Sequence, residues 1–133
     1  MAESSLPAAT VSLLVCEIDG QRLVELTAVL PPLVLAGIGR LEDLSAQDAT
    51  LSTVFVHEPL RRRGIGTQLV RAATAWAAEH GLNLYLHVHP DNPARQLYLA
   101  EGFGDCDAPP TDEGNQWLVK WAPGREREEE TDG

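Results

Sequence analysis

The residues best suited to chemistry lie in one run, Val54-Phe55-Val56-His57-Glu58-Pro59-Leu60-Arg61-Arg62-Arg63-Gly64-Ile65-Gly66-Thr67. It reads as an apolar strand, a basic glycine turn and the start of a helix. Ile65, Leu69, Ala72, Ala73, Trp76 and Ala77 recur at helical spacing. A turn that enters a helix in this way aims backbone N–H groups at one point, at the positive end of the helix dipole. That is an anion site, and a diphosphate fits it. Gly64 and Gly66 let the backbone approach such a ligand with no Cβ in the way. The bland alternative is a tight turn with a solvated arginine face. The run contains neither Gly-x-Gly-x-x-Gly nor Gly-Lys-Ser/Thr, so it matches neither a dinucleotide fingerprint nor a P-loop.

Other groups capable of proton transfer are His57 and Glu58, His87 and His89 around Val88, and Tyr98. A histidine titrates near neutral pH and serves as a base, but a lone one is as readily a surface residue. Tyr98 is either an aromatic packed on the sheet or a proton donor. Asn92 is placed to cap a helix. No His/Cys/Asp cluster has metal-ligand spacing, which predicts no metal. Cys16 and Cys106 lie far apart and read as two reduced thiols in a cytoplasmic protein.

The elements that must position these groups alternate between strands and helices. Val11 to Ile18 is a strand ending at the hairpin signal Asp19-Gly20. Arg22 to Leu30 returns as a second strand, although its apolar positions also fit a helical stripe. Pro31-Pro32 breaks it. Leu33 to Leu41 is a third strand, with Gly37 and Gly39 suggesting a bulge or close packing. Leu44 to Ala49 is a polar connection, and Leu51 to Val56 a short buried strand. The helix from Ile65 ends at His80 with Gly81 beyond it. Leu82 to Val88 alternates strictly, with Asn83, Tyr85 and His87 on the second face. Asn92-Pro93 starts a short helix to about Ala100; Phe103–Cys106 and Gln116–Trp121 are closing strands.

At 133 residues and 44% apolar content the chain makes one domain with a real core. Residues 1–9 read as a loose leader, 10–123 as the domain, and 124–133 as a disordered acidic tail. No apolar run reaches the ~18 residues of a membrane span, and the acidic start has no signal-peptide character. A net charge of −10 repels nucleic-acid phosphates, so nucleic acid is not the expected partner.

Two segments in this order carry a family resemblance. Arg61-Arg62-Arg63-Gly64-Ile65-Gly66 fits Arg/Gln-x-x-Gly-x-Gly/Ala. Asp91-Asn92-Pro93-Ala94-Arg95-Gln96-Leu97-Tyr98-Leu99-Ala100-Glu101-Gly102-Phe103 fits Asn-x-Ala-x-x-Leu-Tyr-x-x-x-Gly-Phe. Separated by one helix and one strand, they resemble the GCN5-related N-acetyltransferase (GNAT) superfamily over residues 51–106. The resemblance implies a mixed α+β fold: a twisted mixed sheet with a splayed central parallel strand pair. With only fifty residues before Leu51, the N-terminal helical part must be shortened.

The resemblance also implies roles. Arg61, Arg62, Arg63, Gly64, Ile65, Gly66 and Thr67 would hold the diphosphate of acetyl-CoA, with Asn92 and Arg95 adding contacts. Val54, Phe55 and Val56 would offer backbone groups to the pantetheine arm as an added strand does. Tyr98 would protonate the departing thiolate. His87, where several amine acetyltransferases of the superfamily carry a glutamate, would deprotonate the amine, with His57 and Glu58 as fallbacks. The implied activity is acetyl transfer to an amine by direct attack on the thioester, with neither cysteine as nucleophile. Five acids and no basic residue from Glu101 to Glu113 favour a small cationic acceptor. A protein N-terminus or lysine is the alternative acceptor, and a non-catalytic acyl-CoA sensor the alternative function. The expected partners are acetyl-CoA and an amine, with no membrane, in a monomer or homodimer.

Overall fold

The computed structural model describes residues 9–31 and 34–124. The expected acidic tail beyond Gly124 and all of the expected leader except Ala9 lie outside them. Ala9 itself is buried and belongs to the fold. Its N–H donates to Gln68 Oε1 at 3.3 Å, and its carbonyl accepts from Gln68 Nε2 at 2.8 Å.

The first half is a meander of four antiparallel strands: β1 (Thr10–Ile18), β2 (Gln21–Leu30), β3 (Val34–Glu42) and β4 (Asp48–Val56). Asp19 and Gly20 carry φ of 54° and 79°, a two-residue turn with both central residues left-handed. Such a turn matches the strand twist, which fixes the β1–β2 register from Ile18–Gln21 to Thr10–Val29. The helical stripe in 22–30 is incidental. β2 buries Val24, Leu26 and Ala28 at period two. Among the described residues no helix precedes the single 3-10 turn at Glu58–Leu60, so the early helical part is replaced by sheet. The segment expected as a polar connection up to Ala49 is shorter, because β4 already starts at Asp48.

Helix α1 (Ile65–Glu79) follows, then β5 (Asn83–Val88), the short α2 (Ala94–Ala100), β6 (Gly104–Asp105) and β7 (Gln116–Lys120). The strands form one seven-stranded sheet in the order β1-β2-β3-β4-β5-β7-β6. α1 lays Ile65, Leu69, Val70, Ala73 and Ala77 on the sheet, over Leu26, Leu41, Leu84 and Leu86. Each fully buried Leu or Val contributes about 1.5–3 kcal/mol. The helix sits close because β3 has no side chain at Gly37, where a Cβ would lie 2.8 Å from Phe55 O and 3.1 Å from Leu69 Cδ1.

Two features shape the centre. β4 and β5 pair in parallel only at Asp48–Asn83, Ala49–Leu84 and Thr50–Tyr85. Directly beyond, Arg40 pairs with Thr53 while Leu41 pairs with Leu51, so Ser52 is an extra residue in β4. A bulge bends its strand and ends pairing. It also shifts parity: Ala49 and Leu51 are buried, and past the bulge Val54 and Val56 pack toward the core while Phe55 is 51% exposed on the other face. The two central strands therefore meet at one end and diverge at the other.

The closed end is held by a buried polar clip. Asn83 is 7% exposed. Its backbone N–H donates to Gln47 O at 2.7 Å, its Nδ2 to Asp48 Oδ1 at 3.0 Å, and its Oδ1 accepts Ala122 N–H at 2.8 Å. Asn83→Leu keeps the volume but strips the partners from Asp48 and Ala122. The expected cost is about 1–3 kcal/mol, read as a lower thermal midpoint. An unchanged midpoint would mean that the clip does not hold the strand pair.

Candidate active site

The mouth of the gap is built by the turn between β4 and α1. Arg62 and Gly64 both have positive φ, 69° and 81°, on either side of Arg63. Glycine adopts that hand freely; for Arg62 it is a local strain. The alternating hand curls the backbone into a concave shape. Gln68 N–H bonds Gly64 O at 3.0 Å as the first turn of α1, and no side chain caps the helix. The N–H groups of Ile65, Gly66 and Thr67 therefore have no intrahelical partner, and they stand at the positive end of the dipole. Such a set of N–H donors can receive an anion.

A cleft of about 640 Å³ runs from this turn along the unpaired end of β4, facing α2. One side is Val54, Phe55 and Val56 of β4, with Arg61, Arg62, Ile65 and Gly66 at the mouth. The other is Asn92 to Ala94 with Leu97 and Tyr98 of α2. Val56 O accepts a bond from Arg61 Nε at 2.9 Å, so the peptide groups of Val56, and of Val54 two residues earlier, face away from β3. With β5 splayed away, those groups have no strand partner. An extended amide chain can pair there. The residues thus fit an acyl-CoA: free N–H donors for a diphosphate, and an unpaired strand edge for the pantetheine amides.

Of the expected cofactor residues, Val54, Phe55, Val56, Arg61, Arg62, Ile65, Gly66 and Asn92 line this cleft. Arg63, Gly64, Thr67 and Arg95 do not. The Arg61 side chain is committed to the strand, with its guanidinium 5.5 Å from the Phe55 ring centroid. Asn92 caps α2 through Oδ1, which accepts Ala94 N–H at 2.9 Å. Arg95 leans on Asp105 at 3.4 Å, and its Nε is buried without a partner.

Tyr98 is half-buried and packs edge-on to Phe103 at 6.0 Å between centroids. Burial pushes its phenol above its ordinary value of 10.0, so the hydroxyl keeps its proton at neutral pH. Packing residue and proton donor are thus compatible readings.

His87 does not line the cleft. It alternates with buried Leu86 and Val88, so it projects from the sheet face opposite α1. There its ring meets Trp117 edge-on at 4.9 Å, and Nδ1 lies 3.0 Å from the Asn115 side-chain amide. Sequence reading missed Asn115. It lies in the loop before β7, where Thr111 bonds its N–H and carbonyl at 3.1 and 2.9 Å. Only the strand register, which sets His87 opposite Trp117, brings that loop to the histidine. His57 and Glu58 are exposed at the end of β4, and the His57 N–H is bound to Ala36 O at 2.8 Å. His89 accepts the Asp91 N–H at 3.1 Å. Among the acids near the gap, Glu101 is paired with Arg71 at 2.9 Å and held below the usual carboxylate range by that bond. Asp107, Asp112 and Glu113 are exposed.

A meander feeding a parallel pair that splays over an anion-binding turn defines the GNAT acetyltransferase class. The sequence profile of the Acetyltransferase (GNAT) family matches residues 8–104, and the chain belongs to that family. Solved structures share the fold. The PaiA N-acetyltransferase of Thermoplasma acidophilum, in complex with coenzyme A, superposes with a TM-score of 0.64 at 23% identity, over 74% of this chain and 60% of that one. The ribosomal-protein-S18-alanine N-acetyltransferase of Escherichia coli gives 0.64 at 19% identity, over 84% of this chain and 90% of that one. Ard1 of Thermoplasma volcanium gives 0.64 at 21%, over 74% and 70%. The chain thus spans three-fifths of the PaiA enzyme's length. No curated protein sequence matches it. Among the described residues no helix is long and apolar enough to cross a membrane, and no group of His, Cys, Asp or Glu is placed to hold a metal.

A side chain at position 66 would point toward Val56 and Leu97, 3.7 and 3.8 Å from a Cβ, and so into the cleft. Coenzyme A at a hundredfold excess over its Kd is expected to stabilise the wild-type chain by about 2.7 kcal/mol. In Gly66→Leu that thermal shift should vanish while the ligand-free midpoint stays close to wild type. A shift of unchanged size in the folded variant would place the diphosphate elsewhere.

Proposed function

We propose that this protein transfers an acetyl group from acetyl-CoA to an amine by direct attack of the amine on the thioester. The observation that carries the reading is the open end of the β4–β5 pair. Peptide groups of Val54 and Val56 that have no strand partner, the free N–H groups of Ile65 and Gly66 and the Tyr98 ring all border one cleft. When bound, acetyl-CoA supplies the activated acyl carbon and a thiolate leaving group.

The chain's own residues divide the remaining work by sheet face. Val54 and Val56 orient the acyl end and offer N–H groups to the oxygen on which charge develops. Tyr98 approaches from the α2 side and donates its proton to the departing sulfur, a task suited to a phenol kept protonated by burial. His87 is on the face opposite α1, where the gap opens to an incoming amine. Its Nδ1 meets the Asn115 side-chain amide; Nε2 is the nitrogen that accepts a proton when that amide presents its oxygen to Nδ1–H, and Nδ1 is the acceptor when it presents its NH2. Asn115 and Trp117 hold the ring in that orientation.

For the acceptor, the exposed acids Asp107, Asp112 and Glu113 support a small cationic amine. One observation favours a polypeptide N-terminus instead. Among the described residues no helix covers the sheet face that carries Phe55 and His87, and an open platform accommodates an extended chain. The likeness to an alanine N-acetyltransferase of a ribosomal protein supports the same alternative.

Thiol release from acetyl-CoA, measured over polyamines, neutral amines and peptides with free N-termini, separates these readings. Release with none of them would leave an acyl-CoA-binding module. With the preferred acceptor, Tyr98→Phe should lower kcat roughly ten- to a thousandfold with little change in coenzyme A affinity. The wild-type rate should fall with rising pH only above the ordinary tyrosine value of 10.0, because burial raises the phenol, and Tyr98→Phe should lose that limb. His87→Gln should lower kcat with little change in coenzyme A affinity. An unchanged kcat in His87→Gln moves the base to His57, Glu58 or a water chain.

A further inference from the structure

The sheet ends on an edge that is unusually well suited to pair. Among the described residues β1 is the outermost strand, hydrogen-bonded only to β2, and its nine residues, TVSLLVCEI, include no proline, lysine or arginine. Edge strands of soluble proteins are ordinarily short, bulged or charged to prevent pairing with another strand. This one is regular along its whole register with β2 and exposes apolar side chains on both faces. Leu13 and Val15 share the α1 face with Leu26 and Val24 and are 40% and 46% exposed; Leu14 and Ile18 on the other face are 61% and 52% exposed.

The hairpin turn fixes which backbone groups are free. A two-residue turn makes its flanking pair, Ile18–Gln21, mutually hydrogen-bonded, and bonded pairs then alternate along the ladder. Even-numbered residues of β1 therefore bond β2, while Val11, Leu13, Val15 and Glu17 point their N–H and C=O groups outward. We propose that β1 pairs antiparallel with β1 of a second copy of this chain, about a twofold axis at Leu14, to continue the sheet across a closed dimer.

The strand is self-complementary in that register. Leu13 faces the partner's Val15 and Val11 the partner's Glu17, so outward-pointing backbone groups meet outward-pointing ones. Leu14 meets its own copy, Ser12 meets Cys16, and Thr10 meets Ile18, so every residue of the strand is paired. The single charge, Glu17, stands opposite a valine rather than its own copy, which avoids like-charge repulsion. Each exposed apolar side chain of β1 gains a neighbour on its own face. A twofold contact of this kind closes on itself instead of growing into a fibre. β1 lies three strands from the β4–β5 gap, so the cleft stays open.

The test uses the full chain in sedimentation equilibrium, with circular dichroism as the control for folding. The wild type should run at twice the chain mass, and Leu14→Lys, which sets like charges face to face across the axis, should run as a folded monomer. Under mild oxidation Ser12→Cys should form a covalent dimer with the partner's Cys16, because directly opposed residues lie within disulfide reach; Val11→Cys, one residue out of register, should not. Should Leu14→Lys fail to fold, the Ser12→Cys cross-link still decides the register. A wild type that stays monomeric through the micromolar range overturns the proposal, including the case in which its β1 amides are protected from exchange by another part of the same chain. A dimer without the Ser12→Cys cross-link overturns it by placing the contact on another surface, and open-ended aggregation overturns the closed twofold.

Discussion

Everything at the centre of this molecule depends on where β4 and β5 stop bonding. Two parallel strands that paired along their full length would give a continuous sheet with no accessible peptide groups. Here pairing stops after Thr50–Tyr85, and the extra residue Ser52 bends β4 away at that point. One inserted residue has three consequences. It leaves β4 with no partner on its β5 side over Val54–Val56. It reverses side-chain parity so that valines, not Phe55, face α1. It also opens the space that the turn and α2 then frame. The hydrogen bonds given up at the open end are offset by concentrating polar anchoring at the closed end, where buried Asn83 bonds β4, its preceding loop and the segment after β7. A buried amide with every partner satisfied is rigid, and a rigid hinge lets the two strands diverge without sliding.

The turn that closes the cleft mouth shows the same division between cost and use. Arg62 in the left-handed region is strained, and three adjacent arginines beside free helix N–H groups add repulsion. The local answer is partial: Arg61 folds back on Phe55 and Val56, which spends one of the three guanidinium groups on the fold itself. Arg62 is left at the mouth and Arg63 exposed nearby. The residual positive potential in a chain of net charge −10 is therefore local, produced by geometry and not by composition.

Much of this was legible in the residues. The glycine turn, the alternation of Leu82 to Val88, Asn92 as a cap and Asp19-Gly20 as a hairpin are each decided by neighbours within a few positions, and each stands in the structure. The helical stripe in 22–30 misleads because a hydrophobic strand, buried on one face and flanked by Leu23 and Val29, satisfies both periods; the pairing on either side settles it. The bulge at Ser52 has no glycine or proline to mark it, since it is set by the registers of β3 and β5 together. The arginines could not be told apart in sequence, because only the position of Phe55 above the turn selects Arg61. Asn115 was invisible for the same reason: its contact with His87 spans 28 residues and passes through a strand pairing.

The opposition of Tyr98 and His87 across the sheet follows from these long-range effects. A residue on α2 can reach the gap only from the face on which α1 and α2 pack, since Leu97 and Val56 both adjoin Gly66. A residue on β5 between Leu86 and Val88 can project only from the other face. Had the strands stayed paired, the sheet would have separated the two groups with a wall of peptide bonds. Because they part, the same gap is bordered by a protonated phenol on one side and opens toward an imidazole on the other. The sheet therefore gives the two rings separate surroundings: Phe103 packs on Tyr98 on one face, and Trp117 and Asn115 hold His87 on the other.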